Sequence, residues 1–280
     1  MSGPHGGHSS VRAVAGRAVK TVAVGADRLW PPRRGVVVLI YHRVGGRTGI
    51  EVDLPTGLFN DQMAWLASHG LATTLDDALE AAARPTAPDQ DPVVVTFDDG
   101  TADLVELALP ILVEHKIPAV FYLSTDFVER GRPFPHSGTP LSWAGAREAL
   151  TTGLVTIGSH THTHALLDRL DPPSAADELD RSVDLIAERT AASADHFAYP
   201  KAVAPSSAVE ALVRDRFRSA ALGGNRANPY GQTNPHRLSR SAIQRSDEMR
   251  FFECKAMGGM ALEDGARRAL NRLRYARTTG

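Results

Sequence analysis

Val93-Val94-Val95-Thr96-Phe97-Asp98-Asp99-Gly100 is the stretch on which the reading of this chain turns. Its first five residues are apolar or β-branched with no charge among them, the pattern of a strand covered on both faces. Asp-Asp-Gly then ends the run with turn chemistry. Such a strand belongs in a parallel sheet flanked by helices, and the neighbouring sequence alternates accordingly. Residues 36–41 form a second continuous β-branched run, and shorter strands are predicted at 119–123, 155–157, 197–199, 218–222 and 238–243. Helical periodicity is predicted around 59–66 and at 75–83, 102–115, 142–152, 174–191, 206–214, 247–257 and 262–272, with a long Gly/Pro/His loop at 127–139. About seven strand–helix units are too many for a simple sandwich, so the expected fold is α/β, a distorted (β/α)7-type barrel. In such barrels the chemistry gathers at the C-terminal ends of the strands. Asp98, Asp99, His160 and Tyr199 all fall at predicted strand ends.

Pro31-Pro32-Arg33-Arg34-Gly35 is a break, and it divides the chain into a leader at 1–34 and one domain at 35–280. Residues 1–10, rich in Gly and His, are expected to be disordered. Residues 11–30 are expected to be helical, with Val14, Ala18, Val22 and Leu29 loosely on one side and Arg12, Arg17, Lys20 and Arg28 interleaved. The plainer reading is a solvated leader packed loosely on the domain; the sharper one is a weak membrane-surface or partner helix. The leader lacks the apolar core of a signal peptide, and nothing later reaches transmembrane length. The expected location is therefore cytoplasmic, or peripheral to the inner membrane face. The formal net charge of −1 gives no bulk attraction to nucleic acid. Cys254 is the only cysteine, so no internal disulfide can form.

A second stretch, Ser159-His160-Thr161-His162-Thr163-His164, places His160 and His164 four residues apart just after a predicted strand. Two imidazoles and one carboxylate make a three-ligand set with room for water, which suits a catalytic divalent metal. A second carboxylate beside the ligand is a ready general base. Asp-Asp-Gly alone is an ordinary turn, and His-x-x-x-His alone is an ordinary solvated face. The two together, at strand ends on an alternating β/α pattern, are far more specific.

These motifs resemble the polysaccharide deacetylase family, the NodB-homology carbohydrate esterases. Thr96-Phe97-Asp98-Asp99-Gly100 is similar to that family's first motif, and Ser159-His160-Thr161 with His164 to its second. Phe197-Ala198-Tyr199-Pro200 resembles the shortened third motif of the branch that includes enzymes acting on poly-N-acetylglucosamine, and residues 39–44 resemble its first strand. The likeness runs from about Gly35 to at least Gly258. It implies the NodB-homology fold, with Asp98 as catalytic base and Asp99, His160 and His164 holding a divalent metal, usually zinc, with cobalt or another divalent ion an alternative. It further implies that Thr161 braces the loop between the imidazoles, that the Tyr199 N–H helps hold the oxyanion, and that Pro200 shapes the substrate groove.

The chain departs from the family pattern in two places. The Arg that often precedes the third-motif Pro is missing, and Arg240 in Leu238-Ser239-Arg240 is the candidate replacement, since a guanidinium orients a carboxylate well. No His follows Arg240, so the C-terminal Leu-x-His motif is also missing. His42, His162, His236 or protonated Asp98 is left to act as acid. His42 ranks first because it ends the first strand, and His162 is expected to face solvent. Trp65 and Trp143 read as helix packing. Lys201 stands where the family often has an aromatic. The implied activity is removal of N-acetyl groups from a GlcNAc-containing polysaccharide or glycoconjugate. Two alternatives stay open: a carbohydrate-binding protein that keeps the fold with little turnover, and a deacylase of a small N-acyl metabolite.

Overall fold

The computed structural model describes residues 7–266, with side chains from residue 16 onward. Seven parallel strands form the curled sheet: β1 (Gly35–Tyr41), β2 (Val93–Phe97), β3 (Ala119–Leu123), β4 (Val155–Ser159), β5 (His196–Ala198), β6 (Ser219–Ala221) and β7 (Ser241–Ala242), in the order β7-β1-β2-β3-β4-β5-β6. The pair Asn228–Pro229 adds an antiparallel strand to the start of β1. The segment leading into β7 bridges the open side. Leu238 donates to the Ala220 carbonyl, its own carbonyl accepts from Leu222, and three residues later Ser241 lies beside Leu39 of β1. The expected distorted (β/α)7-type barrel is what forms.

Nine helices are described: α1 (Gly7–Leu29), α2 (Thr56–Ser68), α3 (Leu75–Ala83), α4 (Leu109–His115), α5 (Thr125–Arg130), α6 (Trp143–Thr151), α7 (Pro172–Thr190), α8 (Ser207–Arg216) and α9 (Glu248–Ala256), and residues 261–266 are also helical. Capping follows local chemistry. The Thr74, Ser142, Asp171 and Ser206 side chains each accept a first-turn N–H, and Pro172 and Pro173 occupy positions where no intrahelical N–H is needed. The sheet is two-faced. Val37, Leu39, Tyr41, Val93, Val95 and Phe97 face outward onto α2, α4 and α6. Val36, Val38, Val94, Val120, Ala198 and Leu238 fill the interior with Leu75, Ala78 and Ala82 of α3.

Three expectations change. The helix expected over 102–115 opens as a π-helix at Leu104–Ala108 before becoming α4. Pro110 has no N–H to give a four-residue bond, and a wider turn absorbs the loss. The loop expected at 127–139 contains most of α5, a helix of six residues, too short for periodicity to reveal. The rest of that loop is pinned by the Phe134–Gly138 bridge and by Phe127 stacked on Phe134, with ring centroids 4.4 Å apart. The leader does not pack loosely. Residues 7–10 already belong to α1, since each residue added to a formed helix gains a bond. Farther along, Ala23 and Val24 are buried against Phe251 and Met260, and Lys20 is buried among acidic partners. Residues 1–6 and the last part of the helix expected over 262–272 lie outside the described residues.

Candidate active site

Strand alternation builds the site. On β2 the interior positions are Val94 and Thr96, and the next in that series is Asp98, just past the strand end. On the closing segment the interior series is Leu238 and Arg240. Arg240 is fully buried and meets Asp98 as a fork on a fork: Nη1 donates to Oδ1 at 2.6 Å and Nη2 to Oδ2 at 2.8 Å. Nη1 also donates to Thr96 Oγ1 and Nε to the Leu222 carbonyl, while the guanidinium lies 5.3 Å from the Tyr122 ring centroid. Arg240 thus takes the place expected of it, on the Asp98 carboxylate.

Burial alone would raise the Asp98 carboxyl. The Arg240 charge, then His160, the paired Arg240 hydrogen bonds and His42 overcome that and hold it down at about 2. Asp98 is therefore an anion at neutral pH with its orientation fixed. The chain then turns sharply. Asp99 has φ 75°, Gly100 has φ 95°, and a Cβ on Gly100 would meet Leu123 Cδ2 at 2.8 Å, so glycine is required there. The turn rolls Asp99 out of the β2 alternation and towards β4.

His160 follows β4. Its Nδ1 lies 2.7 Å from the Ala198 carbonyl, which fixes the proton on Nδ1 and leaves the Nε2 lone pair facing Asp99. His160 Nε2 and His164 Nε2 stand 3.6 Å and 3.5 Å from Asp99 Oδ1. One ligand atom from each of the three side chains lies within 4.8 Å of the others. A tetrahedral ion with ligands at about 2.0–2.2 Å spaces neighbouring ligand atoms by about 3.4 Å, so the donor set fits. Burial, then the neighbouring His160, pushes the His164 imidazole down to about 4, so both faces of the ring chemistry point to a neutral ligand. Asp99, Thr161 and His164 all hold left-handed backbone, a conformation that persists where surrounding structure over-determines it.

His42, at the end of β1, lies beside Asp98 because β1 and β2 run in register from Val37 and Val93 to Tyr41 and Phe97. Its Nδ1 is buried with no protein partner. His236 is not at this rim: its Nε2 pairs with the Phe217 carbonyl, before β6 begins. His162 does not face solvent. It is 6% exposed, with Nδ1 2.9 Å from Thr125 Oγ1 on α5. Tyr199 does not present the expected donor. Its N–H donates to the Ala221 carbonyl at 3.0 Å, extending the sheet by one bond, and its ring is buried among Phe197, Val209 and Val213. Pro200 is buried, and Thr161 is fully buried with its N–H on Ser159 Oγ. Trp65 packs edge-on to Phe252, and Trp143 donates to Glu129, as packing residues do.

Ser124, Thr96 and Glu178 are supporting residues that sequence reasoning missed. Ser124 donates its N–H to the Asp99 carbonyl and its hydroxyl to the His160 carbonyl, tying the two motifs together. Thr96 relays between the Leu39 carbonyl and Arg240. Glu178 on α7 holds Thr163. The available signal was position: Thr96 sits two residues before Asp98, and Ser124 one residue past a strand end.

The family model described as polysaccharide deacetylase matches residues 86–219, the span that carries Asp98, Asp99, His160 and His164. Among curated proteins, YxkH of Bacillus subtilis is 27% identical over 143 residues, 51% of this chain and 48% of that protein. A poly-beta-1,6-N-acetyl-D-glucosamine N-deacetylase of Staphylococcus aureus is 33% identical over 105 residues, 37% of this chain and 35% of that protein. The match therefore spans half or less of each relative's own length. Among solved structures, IcaB from Ammonifex degensii superposes with a TM-score of 0.68 at 25% identity, covering 80% of this chain and 98% of that one. The Streptococcus pyogenes deacetylase PplD, solved with acetate, gives a TM-score of 0.70 at 18% identity over 79% of this chain and 97% of that one, a likeness of fold. With its two motifs assembled at one rim of the matching fold, the chain is similar to the polysaccharide deacetylase family, whose model its residues 86–219 match.

Proposed function

We propose that the protein is a metal-dependent hydrolase that removes N-acetyl groups from a GlcNAc-containing polysaccharide or glycoconjugate. One observation carries the reading: a buried, guanidinium-locked carboxylate, Asp98, stands beside a trio of donors, Asp99, His160 and His164, spaced for one divalent ion. When bound, that ion, zinc by the balance of imidazole and carboxylate ligands, supplies the Lewis-acid charge that polarises the amide carbonyl and makes water acidic enough to attack. Asp98 takes the proton from the attacking water. Arg240 keeps both Asp98 oxygens in place and keeps the carboxylate ionised until then. The nitrogen of a tetrahedral intermediate must gain a proton before it can leave as an amine. His42, at the end of β1 beside Asp98, is the group to deliver it. The pairing of Tyr199 N–H with Ala221 takes that donor out of the oxyanion's reach, so charge stabilisation falls to the ion and to other rim groups.

The substrate class rests on the Staphylococcus aureus relative, which is named for poly-β-1,6-N-acetylglucosamine, and on the Phe197–Pro200 motif. The decisive measurement is acetate release from β-1,6-linked N-acetylglucosamine oligomers, from other N-acetylated glycans and from small N-acyl metabolites, using metal-stripped and metal-restored protein. Release from the oligomers that disappears on stripping and returns with zinc or cobalt is expected. Tight oligomer binding with no acetate under either condition identifies a binding protein instead.

A further inference from the structure

We infer that His162 is the positioning residue of the ligand loop: it turns away from the metal trio and clamps the segment that carries His164. The inference rests on the reading of Asp99, His160 and His164 as a metal centre. The two imidazoles of that trio are held very differently. His160 is 2% exposed and fixed on both sides, by its Nδ1 to the Ala198 carbonyl and by its backbone N–H to the Leu123 carbonyl. The His164 side chain is 29% exposed, and its ring lies against His160 and Asp99. Its place is set through a loop with left-handed backbone at Thr161 and at His164 itself.

What holds that loop is the pair between the two ligands. His162 N–H donates to the Glu178 carbonyl on α7 at 3.2 Å, and its own carbonyl accepts from the Asp126 N–H on α5 at 2.8 Å. Its ring enters the seam between these helices, with Nδ1 2.9 Å from Thr125 Oγ1 and Nε2 3.7 Å from Asp126 Oδ1. The next residue is gripped as well: Glu178 accepts from the Thr163 N–H and from its hydroxyl, both at 2.8 Å. Two helices thus fix residues 162 and 163, and His164 has little freedom beyond its own side-chain torsions. Outer contacts of this kind orient metal ligands, and their loss typically weakens metal binding about 10–100-fold.

The test uses Co2+ competition against a chromophoric chelator, the visible Co2+ absorption spectrum, and thermal unfolding of the metal-free protein. His162→Leu should keep cooperative unfolding, weaken Co2+ binding about 10–100-fold and change the band intensity. His162→Asn, whose amide can reach Thr125, should recover most of the loss. Thr125→Val removes the ring's hydrogen-bond partner on α5 with little change of shape and should weaken binding in the same direction, so it stands in if His162→Leu does not fold. Wild-type affinity and spectrum in folded His162→Leu, or in Thr125→Val where the Leu variant does not fold, overturn the clamp alone. Failure of the wild-type chain to bind Co2+ overturns the metal centre and the clamp with it.

Discussion

Two buried aspartates lie in different charge clusters of this molecule, and they are satisfied in opposite ways. Asp247, fully buried beneath α1, accepts from Lys20 Nζ at 2.7 Å, from Lys255 Nζ at 2.9 Å on each oxygen, and from the Gln244 N–H at 2.7 Å. Lys255 goes on to the Ala242 carbonyl and to Glu263, so two ammonium groups and two carboxylates close on one another. Asp98 has one side-chain partner, Arg240, bound as a fork, with His160 and His42 near enough for their charge to act on it and the proposed metal site close by. A closed cluster neutralises its charges and joins elements; here it joins the N-terminal helix to the C-terminal ones. A half-satisfied carboxylate with a fixed cation keeps lone pairs available, which is what a general base needs. The same desolvation physics applies to both, because removing one member of either cluster leaves a buried charge behind.

The comparison breaks first at Asp98. Asp98→Asn should lower acetate release per folded molecule by about 10²–10⁴-fold while zinc content, read by elemental analysis, stays at the wild-type level. Turnover retained in that variant removes Asp98 from the chemistry and makes both clusters structural. The matching change in the closed cluster is Lys255→Met, which leaves Lys20 facing both Asp247 and Glu263. It should cost about 3–5 kcal/mol in a denaturant titration, with acetate release per folded molecule unchanged. A large loss of turnover without loss of stability would mean that the closed cluster reaches the site.

Glu210 provides an intermediate case at a partly open surface. Its carboxylate takes paired hydrogen bonds from Arg237 and another from Arg214. These, Arg237 first, hold it down at about 2 against the opposing effect of burial. Its folded pKa lies below the usual Glu value of about 4.3, so its contribution is complete above that value and fades as pH falls towards about 2. Glu210→Gln should therefore lower stability by roughly 1.5–3 kcal/mol at pH 7, and the gap from wild type should narrow on acidification through that window. A gap that is constant with pH would assign the effect to packing. The smallest effect is expected at Tyr199. Tyr199→Phe removes a hydroxyl that is buried without a partner and should leave acetate release unchanged within about threefold and stability within about 1 kcal/mol. A large loss of release would return Tyr199 to the substrate.

Legibility of the fold followed burial periodicity. β1 and β2 are continuous β-branched runs and were readable to within a residue. α5 was not, because a six-residue helix completes too few turns to show a period. α1 was placed as a helix, but its docking was hidden. A lysine in an amphipathic leader reads as solvated, and only the carboxylates of Asp247 and Glu263, more than two hundred positions later, make its burial affordable. The site was legible where its parts are neighbours in sequence. Asp98 and Asp99 are adjacent, and His160 and His164 are four apart, so strand end and turn chemistry suffice to expose them. His162 is expected at the surface because a residue between two inward-facing imidazoles looks outward unless the helices on its other side are known.

By itself the sequence determined which groups gather at the strand ends: two carboxylates after one strand and two imidazoles after another, on a chain that alternates strand and helix. Those facts are local, since alternation along a strand and the turn that ends it depend on a few consecutive residues. Tertiary structure decided how the groups are held. Arg240 reaches Asp98 across 142 positions because the segment before β7 crosses from β6 to β1 and brings its interior face over β2. The same closure gave the Tyr199 N–H to Ala221 rather than to a substrate, and the seam between α5 and α7 claimed His162. Pairings of this kind are settled by which distant segments share a wall of the barrel, and no local pattern encodes that.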